Sequence, residues 1–188
     1  RLEAPSLGAV FSDILDGQGL SLPEVSGVNA MAEGVLIDRP ASARDVLEQL
    51  CTLFGIEAHE EAGRLHFRSI CCATVPEPVN DRVLEREGAS LQIRLGDAET
   101  LPLGAVVAFR DPMLNYQTAT AADDGSSVSQ SRLDRLGHPG TLDAGKARAL
   151  ARDHIADRRA GRKTVSFSMP AGHGRMPGQR VSFPDEGL

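Results

Sequence analysis

Apolar positions recur at helical spacing near the start of the chain: Leu7, Val10, Phe11, Ile14 and Leu15 form one stripe. Ser6 stands where an N-cap hydroxyl would accept from an orphan backbone amide, and Asp16-Gly17-Gln18-Gly19 ends the period. Leu20–Val28 reads as extended, interrupted by Pro23 and Gly27, and 34–38 reads as a short strand stopped by Pro40. A second helix follows, capped by Ser42 with Asp45 at the capping-box offset. Its buried stripe is Val46, Leu47, Leu50, Cys51 and Phe54, and Gly55 closes it. The pattern then changes to a period of two. Ile56–Glu60 and Arg64–Ser69, joined across Glu61-Ala62-Gly63, predict a hairpin with Leu65 and Phe67 on its buried face.

Residues 70–81, with Pro76 and Pro78 and no helical period, read as a linker. Beyond it the signals are mostly β: Ser90–Leu95, a nearly continuous apolar run over Gly104–Arg110, then Asn115–Ala122 and Ser127–Leu133 with a turn at Asp123-Asp124-Gly125-Ser126. A long helix is predicted over about 142–160, with Ala147, Leu150, Ala151, His154, Ile155 and Arg158 on one side. Lys146, Arg148, Arg152, Asp153 and Arg159 occupy the other. Strands at Thr164–Met169 and Arg180–Phe183 flank a loop over Pro170–Gly178. The expected class is α+β: an α-β-α-β-β unit over 1–69, a linker over 70–81, and a β-rich unit with one long helix over 82–188. No repeat of solenoid period interrupts this order.

Composition narrows the picture. In 188 residues, 41% are apolar, yet there is one Tyr, six Phe and no Trp, so the core must be aliphatic. A net charge of −6 disfavours general binding to nucleic acid or anionic lipid. That charge is uneven. Residues 1–69 carry 5 basic against 11 acidic side chains, whereas 132–188 carry 11 against 6. Such asymmetry marks either a polar interface or a solvated basic helix face. Arg152, Arg158 and Arg159 are the candidate protein-contact residues. No apolar run approaches the roughly 18 residues that span a bilayer, and no signal peptide is visible. Beginning at Arg1 rather than Met, the chain reads as a piece of a longer polypeptide.

The residues offer no catalytic, cofactor or metal signature. His59 and His66 flank the hairpin turn, but two histidines without a third ligand make a poor zinc site. His154 lies in or beside the helix stripe, and His138 and His173 fall in Gly/Pro loops without a paired nucleophile. Cys51 sits on an apolar helix face, and Cys71-Cys72 has neither zinc nor redox spacing. Glu60-Glu61 and Asp123-Asp124 lie in turns, with no aromatic platform for a sugar. Gly172-His173-Gly174-Arg175 lacks both the Walker ending and the dinucleotide spacing.

The ordered set of motifs carries more than any one of them. Residues 33–48, then Phe54-Gly55, then Gly63-Arg64-Leu65-His66-Phe67-Arg68 resemble the large "megatron" tail-tip proteins of gene transfer agents. Those proteins are related to the tip attachment proteins of long-tailed phages. Residues 106–117, the long helix, residues 164–170 and Met176-Pro177-Gly178-Gln179-Arg180-Val181 follow in the family's order, with Gln179 where an Asp is usual.

The resemblance implies a structural piece of a tail-tip or baseplate hub with no catalytic residues in this segment. It also implies assembly with other tail proteins, threefold self-assembly of the full-length protein, and passage of DNA through the complete tip without sequence-specific binding. Assembly would take place in the bacterial cytoplasm, without membrane insertion by this segment. Two other readings compete: a module binding an envelope glycan or surface protein, separated by a pulldown from host envelope, and a cell-wall hydrolase, separated by a zymogram.

Overall fold

The computed structural model describes residues 4–37, 40–70, 75–79, 91–123, 132–170, 174–175, 177 and 179–183. The fold is α+β, with three α-helices and ten strands among the described residues.

Helix α1 (Leu7–Asp16) starts at Ser6, whose side chain accepts from the Ala9 amide, and buries Leu7, Phe11 and Leu15. The left-handed glycine at its end is Gly19 (φ 69°), while Gly17 stays right-handed. Helix α2 (Ala43–Phe54) has the full capping box: Ser42 and Asp45 each take the other's backbone amide. Gly55 closes it in the left-handed conformation at φ 59°. Strands β2 (Ile56–Glu61) and β3 (Arg64–Ser69) form the expected hairpin. β2 runs one residue further than the sequence suggests, to Glu61, while β3 keeps its expected bounds, leaving a two-residue turn. Ala62 and Gly63 both have positive φ, which matches the right-handed twist of the paired strands. Strand β1 (Glu24–Ser26) adds to β3 in parallel, giving the order β1-β3-β2.

The first buried cluster lies between these helices and this sheet. Phe11 and Phe67 meet with ring centroids 4.6 Å apart, surrounded by Leu7, Leu15, Val46, Leu50 and Ile56. The expected strand at 34–38 forms no ladder over its described residues. Val35 makes an isolated bridge to Gly140, and Leu36 donates to Pro139.

In the second half, β6 (Gly104–Asp111) is the middle strand of the order β7-β6-β8. It pairs antiparallel with β7 (Gln117–Ala122) and parallel with β8 (Leu133–Thr141). β8 is a strand the sequence pattern hides. Its Gly137-His138-Pro139-Gly140 reads as a loop, but an edge strand tolerates Pro because its outer side needs no donor. The register shift between Ala108 and Arg110 absorbs the irregularity. The expected strand at Ser127–Leu133 and its turn lie largely outside the described residues.

Helix α3 (Ala144–Ala160) is capped by Asp143, which accepts from the Gly145 and Lys146 amides. It lays Ala147, Ala151 and Ile155 on Ala105, Val107, Phe109 and Ala121. Leu53 of α2 belongs to this second cluster, so the one apolar face of α2 serves both clusters. Phe54, expected in the first stripe, is only half-buried and touches both clusters.

Strand β5 (Leu91–Leu95) pairs antiparallel with β9 (Lys163–Phe167). Strand β4 (Glu77–Pro78) pairs parallel with β10 (Val181–Ser182). Part of the stretch without helical period is thus tied into a ladder, with Val79 buried beside it.

Candidate functional site

His154 projects from α3 and its Nε2 lies 2.9 Å from Asp134 Oδ2 on β8. Arg158, one turn on, approaches the same oxygen at 3.6 Å. Among the described residues no hydroxyl or thiol is hydrogen-bonded to this imidazole. The trio fastens α3 to β8 at its C-terminal half. His138, on β8, is buried with its ring edge-on to Phe54 at 6.0 Å. It is a strand residue rather than the loop residue its neighbours suggest. Neither ring nitrogen has a partner at hydrogen-bond geometry among the described residues. Desolvation pushes its pKa down, against weaker upward pulls from the Gly34 and Thr141 backbone and from Glu33. His138 lines a groove of about 660 Å³ between α2 and the β6–β8 ladder, together with Asp45, Gln49 and Arg110.

On the hairpin, His59 and His66 face one another in register on the side of the sheet away from Phe67. Their rings stack at 5.1 Å and 17°. Glu61 and Glu24 approach His66 from β2 and β1. His173, Cys71 and Cys72 lie outside the described residues. Cys51 is buried, and desolvation, followed by the charges of Glu57 and Glu48, pushes its thiol up to about 11. That keeps it protonated and poorly nucleophilic.

The charged contact candidates on α3 do not form one patch. At about 100° per residue, Arg148, Arg152 and Arg159 fall within about 40° of one another on the exposed side, and all three are exposed. Arg152 Nε lies 3.8 Å from its neighbour Asp153. Arg158, also exposed, points about 100° around the helix from Arg159, toward Asp134. Part of the charge asymmetry is also spent inside the chain, through Lys146 with Glu33 and Arg175 with Glu77.

Another surface escaped the sequence reading. The β6–β7 connection presents Met113, Leu114 and Tyr116, which are 88%, 52% and 60% exposed. Asp111 holds it, its side chain accepting from the Met113 amide and its carbonyl from the Tyr116 amide. Asn115 and Tyr116 both have positive φ, unusual for a bulky side chain. The signal was present in Asp111-Pro112-Met113-Leu114-Asn115-Tyr116: a turn starter followed by apolar residues in a chain with a single Tyr.

These features describe a small α+β module with exposed apolar and charged surfaces. Residues 42–187 match the sequence pattern of a family described as "Putative phage tail protein", and the chain belongs to that family of phage tail proteins. No curated protein sequence matches the chain.

Among solved structures, it resembles a chain in the virion of a native gene transfer agent particle, with 19% identity and a TM-score of 0.77. That likeness covers 91% of this chain and 39% of the other. A tail protein from Neisseria meningitidis MC58 is similar at 12% identity and TM-score 0.56, over 100% of this chain and 60% of that one. The 43 kDa tail protein of prophage MuSo2 from Shewanella oneidensis is similar at 12% identity and TM-score 0.50, over 96% and 51%. At these identities the likeness is one of fold, and this chain spans less than two thirds of each of the three.

Proposed function

We propose that the chain is a non-enzymatic module of the hub at the distal tip of a phage-like tail, working by assembly with other tail proteins and with copies of itself. The observation that carries this reading is the fold likeness to the gene transfer agent virion chain over 91% of this chain. The ordered motifs on both halves of the sequence point the same way.

Two surfaces suit such a role. The Met113–Tyr116 turn offers apolar area that a partner would cover. The Arg148–Arg152–Arg159 face offers charge for an acidic surface. The units over 1–69 and 82–188 act as one piece, because Leu53 and the Val35–Gly140 bridge join them. In the complete tip, copies surround the axis in threefold order and DNA passes without sequence-specific contact. Assembly takes place in the bacterial cytoplasm.

Immunogold labelling of purified tailed particles with antibody to this chain tests the placement. Label at the end distal to the head is expected. Antigen only in the soluble cell fraction, with unlabelled intact and detergent-opened particles, would overturn it in favour of an envelope-binding module or a hydrolase.

A further inference from the structure

We propose that the β2–β3 hairpin carries a divalent transition-metal site of the zinc class, ligated by His59, His66 and Glu61 and braced by Glu24. The sequence alone offers two histidines. The register supplies the rest. His59 and His66 are directly opposite, Glu61 follows His59 on the same face of β2, and Glu24 on β1 is opposite His66. One donor atom from each of His59, Glu61 and His66 lies within 4.8 Å of the others. A tetrahedral ion with bonds of about 2.0–2.1 Å holds its donors about 3.3 Å apart, so small rotamer changes close the site.

Three observations favour an ion over a plain surface pair. Both ring nitrogens of His59 are buried without a hydrogen-bond partner among the described residues. A buried polar group left unsatisfied is costly, and ligation would relieve it. His66 has a carboxylate on each side: Glu61 Oε2 is 4.0 Å from Nε2, and Glu24 Oε2 is 3.7 Å from Nδ1. One nitrogen can therefore ligate beside Glu61 while the other donates to Glu24, the usual way a ligating imidazole is oriented. Arg64, opposite Glu61 in the register, makes no ion pair with it among the described residues. Two imidazoles and one carboxylate suit Zn²⁺, Co²⁺ or Ni²⁺ rather than Mg²⁺ or Ca²⁺, which prefer all-oxygen shells. The site is independent of the tail-tip reading.

The test titrates the full chain carrying Cys71→Ser and Cys72→Ser, so that those thiols cannot compete, with Co²⁺ and Zn²⁺. One Co²⁺ per chain is expected, with visible d–d absorption and no thiolate charge-transfer band. Zn²⁺ is expected to displace it and to raise the melting temperature. Glu24→Gln should weaken binding roughly 10–100-fold, the usual cost of losing an orienting partner, and His59→Gln or His66→Gln should weaken it further. As a check that needs no histidine variant, Zn²⁺ should shift the imidazole NMR signals of His59 and His66 alone among the five histidines. Binding weaker than millimolar, binding unchanged in both histidine variants, or Zn²⁺ shifts at other histidines would overturn the proposal.

Discussion

Gly140 on β8 approaches Gly34 so closely that a β-carbon at Gly140 would lie 1.8 Å from the Gly34 carbonyl oxygen. The contact is backbone on backbone. Thr141 donates to that same oxygen at 3.0 Å, and Val35 bridges to Gly140. Gly140→Ala therefore forces β8 and the segment at Gly34–Val35 apart, and we expect a loss of about 1–3 kcal/mol by urea unfolding. A β-carbon at Gly34 would instead meet Thr141 Oγ1 at 2.7 Å, a side-chain atom that can rotate. Gly34→Ala should cost visibly less, and equal losses would argue against the close backbone approach.

Leu53 tests the second junction. It is buried among α3 and β6 residues although it stands on α2. Leu53→Ala should destabilise by about 2–5 kcal/mol, as a core truncation does. The loss should appear in a single cooperative unfolding transition, because α2 serves both clusters. Two separated transitions would show that the clusters melt independently.

His138 makes stability fall in mild acid. Burial holds its pKa below the ordinary 6.5. As pH drops through 6.5 the unfolded imidazole takes up a proton that the folded one refuses, so its contribution is complete above 6.5 and lost toward the folded pKa. His138→Leu should flatten the pH dependence of the melting temperature below 6.5. An unchanged slope would place the acid sensitivity elsewhere.

Cys51 acts at the other end of the scale. Its thiol is raised from 9.0 to about 11. The unfolded thiol ionises first as pH rises, so this contribution is complete below 9.0 and fades as pH climbs toward 11. Cys51→Ala should lower stability at neutral pH through its cavity while removing that alkaline loss. Rapid labelling of Cys51 by a thiol reagent in the native protein at neutral pH would contradict the burial.

The arginines of α3 should separate into two behaviours. Arg148→Glu, Arg152→Glu and Arg159→Glu together should leave thermal stability nearly unchanged, since exposed substitutions usually fall within about 0.5 kcal/mol each. They should reduce incorporation into particles. Arg158→Ala should leave incorporation intact and cost at most about 1 kcal/mol through its contact with Asp134. Undiminished incorporation of the triple variant would remove this face from the proposed assembly.

Much of the fold was legible because it is local. The stripe Leu7, Phe11 and Leu15, the Ser42–Asp45 capping box, the left-handed Gly55 and the alternation around Phe67 each depend on neighbours a few residues away. Short-range geometry and burial agree there, so periodicity alone placed α1, α2, the β2–β3 hairpin, β6 and α3. The ordered motifs likewise gave the tail-protein family before any coordinates.

What only the tertiary structure decided depends on partners far along the chain. β8 contains Gly137 and Pro139 and becomes a strand because β6 supplies its ladder. Leu53, seven residues after Val46, lies at one edge of the α2 stripe, and only the tertiary structure assigns it to the second cluster. His59 and His66 are two scattered letters until the hairpin register stacks them and brings Glu61 and Glu24 alongside. A linear pattern records which residues one face must bury. It carries no record of which distant backbone will arrive to pair with them.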